Sequence, residues 1–354
     1  MAGGATDKQG SGGVLRWVIR GTLALLVTAV ALWWSFKDVH WDVVVPRLKQ
    51  SAPSAMVLFA VVLVFTHFVR VLRWGLLVKP LGPTTNRDIL AAGTVGIPAT
   101  FFVPLRLGEF VRPLMIARSG VPFAGGLASV VVERIVDGLT NVGLFFTLLA
   151  FLPGEVQMPE TVRVGSRIAL VLFGGGCLAL VAVTLVQDPA IRLVSRLLSV
   201  VSDRLAEKVE TLLRHFIVGL KPLGTPVRLV SFLALTLVYW GSMGFAITYV
   251  IGSYGIQVPW LAGPFTMSVL VFAIMIPAGP AFAGTMEAGF KAALVPFGVT
   301  ADEAAVVALA IHLIHIVVFA LLLGLGFAIG GSNVPRPGED DPVPNEASPE
   351  AAEP

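Results

Sequence analysis

Six ionisable side chains stand beside or inside apolar sequence between Ile97 and Asp137: Arg106, Glu109, Arg112, Glu133, Arg134 and Asp137. An ionisable group in hydrocarbon costs roughly 2.5–3.5 kcal/mol on insertion scales, so a cluster of them marks a functional site by default. Glu133 and Asp137 are four residues apart and share a helical face, with Arg134 a quarter-turn away. Arg106, Glu109 and Arg112 follow a break, P-L-R-L-G-E from Pro104, at three-residue spacing. Arginine suits phosphate because its planar fork gives two parallel charge-assisted bonds. Such a cluster can replace the water that a phospholipid headgroup sheds on crossing a bilayer. The glutamates would pair with arginines in the empty site or meet a cationic headgroup. The same residues would equally form an ion-pair network that staples one element to the next, and a gate can be made of such pairs.

The elements that hold this cluster must lie in a membrane. Of 354 residues, 56% are hydrophobic and 13% charged, with mean hydropathy +0.85. A soluble domain carries roughly 25% charged residues. The expected class is an all-α integral membrane protein with about six transmembrane helices and two re-entrant hairpins. A soluble enzyme is excluded. The single cysteine, Cys177, allows no intrachain disulfide. From Gly331 onward the tail has six acids and one base, so the rest is more basic than the whole, and its bases sit in loops, as expected beside an anionic membrane surface.

In chain order, residues 1–15 read as a disordered cytoplasmic N-terminus. Arg16 and Arg20 open an apolar run, Val18 to Phe36, with no small-residue cleavage site after it. Lys37 to Ser54 reads as an outer loop with Trp33, Trp34 and Trp41 near the interface. Ala55 to Val69 is the second span, ended by Arg70, Arg73 and Trp74. Ala91 to Val103 is too short to cross, since a helix needs roughly 20 residues. Gly93, Gly96, Pro98 and Pro104 interrupt it and bases flank both ends, which predicts a re-entrant hairpin. Leu127–Leu152, Ile168–Val186 and Leu229–Ile251 are further spans. Between them, about 190–220, lies a basic helix with an apolar face, predicted on the cytoplasmic membrane surface or packed on the protein's own cytosolic face. Gly263 to Ile276 is a second short run, and Glu303 to Ile329 the last span. Residues 331–354 form an acidic, Pro-rich, disordered tail.

The two short runs match. Pro104 and Pro280 are each followed four residues later by glycine, then by Glu109 or Glu287. The span count gives the two runs opposite orientation, the signature of an inverted repeat, and paired interrupted segments point to a transporter's midplane site. Glu287 thereby joins the six as a candidate substrate-binding residue; Arg70 and Arg73, at the end of the second span, are candidates as well, and His67 and Arg70 are expected to line the same cavity as the hairpin. His312 and His315 lie three apart on the last span. With no H-E-x-x-H pattern they read as packed or proton-coupled rather than as metal ligands. No cofactor is expected, since there is no G-x-x-x-x-G-K-[ST] loop, nor is a nucleic-acid partner. Asp38 and Asp42 suggest one rival, a membrane-embedded transferase with acids at the outer edge. A solvated loop is the plainer reading.

R-V-L-R-W at Arg70–Trp74, P-L-R-L-G-E-F-V-R at Pro104–Arg112, V-V-V-E-R-I-V-D at Val130–Asp137 and P-A-G-P…G-T-M-E resemble the flippase-like membrane domain of lysylphosphatidylglycerol synthases. The resemblance covers about residues 15–330. It departs from the usual second motif, where further glycines and an arginine often precede the glutamate; Thr285 and Met286 stand there instead. The resemblance implies a domain over residues 16–330 that moves lipid between leaflets and is not itself an enzyme. It implies a stand-alone member without the soluble synthase domain. Expected partners are membrane lipids with anionic or aminoacylated headgroups, or a lipid-linked intermediate. A separate lipid-modifying enzyme, for which the chain would be a non-transporting scaffold, and a second copy of the chain are further candidates. The implied location is a bacterial or archaeal cell (inner) membrane, with both termini cytoplasmic.

Overall fold

The computed structural model describes residues 28–50, 52–151, 160–185, 225–276 and 279–330, with isolated positions in 22–27 and 189–214. The N-terminal segment, most of the basic 190–220 stretch and the acidic tail lie outside the described residues. The described chain is helical, with no strand among the described residues. The helices are α1 (residues 28–36), α2 (Trp41–Lys49), α3 (Pro53–Val78), α4 (Asn86–Phe102), α5 (Val111–Ala117), α6 (Phe123–Phe151), α7 (Glu160–Leu185), α8 (Pro226–Ser253), α9 (Ala262–Ile274), α10 (Thr285–Leu294) and α11 (Ala301–Gly330).

Four of these stretches, Pro53–Leu81, Phe123–Phe151, Pro226–Ser253 and Ala301–Gly330, are long and apolar enough to cross a membrane. At 1.5 Å per residue each exceeds the roughly 30 Å of a hydrocarbon core. Their outer faces are apolar. On α3, Val57, Val61, Phe65 and Leu72 recur every four or seven residues and are all at least half exposed. Water would not tolerate such a stripe on every long helix, whereas lipid does. The inner faces build one core in which Phe59 of α3, Ile247 of α8, Phe290 of α10 and Val307 of α11 meet.

Three expectations change. The stretch after Lys37 is not all loop: Trp41–Lys49 is a helix whose Trp41, Val43 and Val45 are exposed. It is tied to the start of α11 by Arg47 Nη1, which donates to Glu303 Oε1 at 3.2 Å. Arg73 and Trp74 do not end the second span, because α3 continues to Val78 and buries both completely. Pro98 does not interrupt α4, which runs unbroken to Phe102 from a capping box between Thr85 and Asp88. Gly93 and Gly96 are close-packing positions instead: a Cβ on Gly96 would stand 2.2 Å from Arg112 Cγ.

The true breaks come later and are alike. After α4 the chain reads Pro104-Leu105-Arg106-Leu107-Gly108, with Leu105 (φ 57°, ψ 20°) and Arg106 (φ 58°, ψ 20°) both left-handed. After α9 it reads Pro280-Ala281-Phe282-Ala283-Gly284, with Ala281 (φ 58°, ψ 17°) and Phe282 (φ 56°) left-handed. These four are the only non-glycine residues with positive φ among the described residues. Each such residue costs about 1–2 kcal/mol. The repeat that shared Pro and Gly suggested in sequence is therefore a repeat of backbone conformation. The glycine of each elbow is pressed onto a helix backbone. A Cβ on Gly108 would meet Ala99 and Thr100 backbone atoms at 2.3 Å, and one on Gly284 (φ 84°) would meet Thr28 O and Leu32 N at 2.8 Å. The short helices α5 and α10 then fold back, α5 onto α4 and α10 onto α9, and the two elbows touch each other.

Candidate functional site

Arg73 is the centre of the charge cluster. Its Nη2 donates to Glu133 Oε1 at 2.7 Å and to Asp137 Oδ2 at 2.9 Å; its Nη1 donates to Asp137 Oδ1 at 2.5 Å and to Thr236 Oγ1 at 3.1 Å. Arg112 Nη1, on α5, donates to the other oxygen of Glu133 at 2.6 Å. Trp240 Nε1 donates to Asp137 Oδ1 at 3.2 Å. Arg73, Arg112 and Glu133 are completely buried. The two guanidinium groups lie over aromatic faces, Arg73 over Phe232 at 5.2 Å and Arg112 over Trp74 at 5.2 Å. Such a network survives in a dry interior only because each carboxylate oxygen meets a donor.

An outer, half-buried layer lies against it. Arg134 is within 3.5 Å of Glu109 and 4.0 Å of both Glu133 and Asp137, and Arg106 is 3.7 Å from Glu109. Arg106 also crosses to the second elbow. Its Nη2 donates to the carbonyl of Ile274 at 2.7 Å, at the C-terminus of α9, and its guanidinium lies 5.5 Å from the Phe282 ring. A cation at that end meets the negative pole of the helix dipole. Arg106 and Arg112 thus part company, the first to α9 and the second to α6, although sequence spacing stacked them.

Arg70 stands apart. Among the described residues it makes no ion pair; its guanidinium lies 5.3 Å from the Tyr239 ring. It is near enough for its charge to act on Glu133 and Arg112. Together, Arg70, Arg73, Arg106, Arg112 and Arg134 outnumber Glu109, Glu133 and Asp137 by two. Arg70 and His67 line a cavity of about 130 Å³ with Ile97 and Phe101 of α4, Phe282 of the second elbow and Met286 of α10. The expected shared cavity is therefore present.

Glu287 is not brought to the arginines. Its Oε2 accepts from the Gly284 N–H at 2.7 Å, capping α10, and its Oε1 pairs with His312 Nδ1. His315 Nδ1 is 2.9 Å from the Ile311 carbonyl. Among the described residues no group of three or more His, Cys, Asp or Glu is placed to hold a metal. Glu287→Ala should lose about 1–3 kcal/mol, the cost of leaving buried partners unsatisfied. Thermal unfolding in detergent measures it, and Glu287→Gln, which keeps the cap acceptor, should lose less.

The sequence reading missed Thr236, Tyr239 and Trp240, which serve Arg73, Arg70 and Asp137 from α8. Their i, i+3, i+4 spacing was the available signal. Asp38, singled out as an edge acid, is engaged by Lys291 Nζ, which donates to its Oδ2 at 2.8 Å. That bond holds the Asp38 carboxyl below the ordinary carboxylate range. Asp42 sits in the first turn of α2, where the helix dipole favours an acid.

Residues 21–324 match the family described as the lysylphosphatidylglycerol synthase TM region. The chain belongs to this family. A membrane location and a lipid-related setting follow from that membership and from the long apolar helices. The glycosyltransferase AglD of Haloferax volcanii is 31% identical over 123 residues. That stretch covers 34% of this chain and 20% of that protein, so the chain spans about a fifth of the relative's length.

Proposed function

We propose that the chain moves a lipid between membrane leaflets: a phospholipid, an aminoacyl-phospholipid or a lipid-linked intermediate. The observation that carries this reading is an arginine-rich cluster, with more guanidinium than carboxylate groups, beside an apolar cavity lined by parts of both broken helix pairs. Broken backbone at membrane depth is tolerated where it is buried in protein or lines a cavity, and interrupted helices recur at transporter midplane sites. On this reading α4–α5 and α9–α10 are re-entrant hairpins of an inverted repeat in a cell membrane, and both termini are cytoplasmic. The chain works without chemistry of its own.

The test is leaflet exchange of fluorescent lipids in liposomes holding the purified protein. Arg70→Gln is the informative variant, because among the described residues Arg70 makes no ion pair whose loss would unfold the chain; charge reversal at buried Arg112 would confuse folding with function. Exchange should fall at least tenfold in Arg70→Gln with insertion unchanged. No exchange of any headgroup by the wild type overturns the reading.

The name of the Haloferax relative favours testing an enzymatic alternative, a membrane-embedded lipid or glycan transferase using Asp38 and Asp42. The Asp38–Lys291 pair speaks against it, since an acid held by an ammonium group is a poor base. Asp38→Asn and Asp42→Asn should leave exchange unchanged; a transferase activity lost in both variants would replace the transport reading.

A further inference from the structure

We propose that the cavity selects lipids with an anionic phosphate headgroup and rejects aminoacylated, cationic ones. This rests on the translocation reading above and narrows its substrate. Selection between the two headgroups depends on which charges face the cavity without a partner. A carboxylate is the strongest partner for a cationic amine, and no carboxylate lines the cavity; of the aromatic rings that do, Tyr239 is already faced by Arg70 and Phe282 by Arg106. The carboxylates nearby are already engaged by cations or donors. Glu133 is held by Arg73 and Arg112, Asp137 by Arg73 and Trp240, and Glu287 by Gly284 and His312, while Glu109 lies between Arg106 and Arg134 at 3.7 and 3.5 Å without a hydrogen bond to its Oε1.

The donors are in the opposite condition. Arg70 makes no ion pair among the described residues, and its buried Nε has no acceptor within hydrogen-bond reach. His67 lies one turn earlier on the same face of α3, is 2% exposed, and has neither ring nitrogen hydrogen-bonded. A buried donor without a partner costs about 1–3 kcal/mol, so an acceptor that satisfies it is bound with that advantage. Phosphate oxygens fit this pair: the guanidinium fork takes two of them and an imidazole N–H a third. Around that end the walls are apolar, from Ile97, Phe101 and Met243 to Phe319, and suit the first part of a hydrocarbon chain. Beyond Arg70 itself, the neighbouring cluster has one more guanidinium than carboxylate groups, which adds attraction for an anion and repulsion for a cation.

The experiment uses the full chain in detergent and in liposomes. Binding is read by thermal shift and native mass spectrometry with phosphatidylglycerol, lysylphosphatidylglycerol and inorganic phosphate; leaflet exchange is read with the two lipids. The expected result is at least tenfold preference for phosphatidylglycerol over its lysyl derivative in both assays. That preference should be lost in Arg70→Gln and partly kept in Arg70→Lys, with unchanged elution and melting of the unliganded variants. Should Arg70→Gln fail to fold, His67→Gln takes its place. Equal or better binding and movement of the lysyl lipid overturns the selectivity and leaves translocation standing. A shift by inorganic phosphate as large as that by lipid overturns the lipid assignment in favour of a free-anion site. Neither lipid bound nor moved overturns the translocation reading itself.

Discussion

Arg73→Leu is expected to destabilise the protein by about 3–5 kcal/mol, the range found when one partner of a buried ion pair is removed. The reason is the state of what remains. Glu133 would keep Arg112 but lose one of its two guanidinium partners, and Asp137 would keep only the Trp240 N–H and the more distant, half-exposed Arg134. Two carboxylates in a dry interior would face a single buried cation. The phenotype should be loss of folded protein, measured as yield and melting temperature in detergent. Arg73→Lys should rescue poorly, since one ammonium cannot span Glu133, Asp137 and Thr236 with three directed bonds. The double variant Arg73→Met, Asp137→Asn should recover much of the loss, because it keeps the buried Arg112–Glu133 pair matched and removes the carboxylate that Arg73 would leave without its guanidinium. A double variant as unstable as Arg73→Leu would show that shape at this point matters more than charge.

The second large effect is expected from a single methyl group. Gly108→Ala places a Cβ 2.3 Å from the carbonyl carbon and oxygen of Ala99 and the nitrogen of Thr100. These are backbone atoms of a helix, so no side chain can swing aside, and the elbow must lift off α4. Overpacking of this kind costs typically 1–3 kcal/mol and more where backbone has to move. Because Arg112 follows four residues later, lifting the elbow also draws its guanidinium from Glu133. Gly108→Ala should therefore lower both melting temperature and lipid exchange. Gly143→Ala is the control, with nothing among the described residues within 4 Å of the added carbon, and should leave both unchanged.

Much of this was legible in the sequence, for definable reasons. Apolar runs mark helices that lipid surrounds, and the long runs at Ala55, Leu127, Leu229 and Glu303 became the four long apolar helices. Glu133 and Asp137 share a face because they are four apart, which is local geometry. Proline followed by glycine four residues later marked both elbows. What was hidden is what depends on distant pairing. Arg73 read as the charge that ends a span, and only partners 60 and 64 residues away turn it into an interior residue. Glu287 looked like a member of the arginine cluster by analogy with Glu109, but register puts it against His312. Pro98 looked like a breaker, yet the chain turns only after Phe102, where Val103 goes extended and the left-handed pair follows.

The two elbows carry an evolutionary consequence. Pro-Leu-Arg-Leu-Gly and Pro-Ala-Phe-Ala-Gly share only their first and last residues, yet both turn left-handed at the second and third. Punctuation and vocabulary are separable here: proline and glycine bracket the turn, and the three residues between differ at every position. In one copy the middle position is Arg106, which reaches across to the other half; in its counterpart it is Phe282, on whose ring that arginine rests. A lineage can exchange such letters one at a time and so change what lines the joint between the two halves, without dismantling the architecture that forms it.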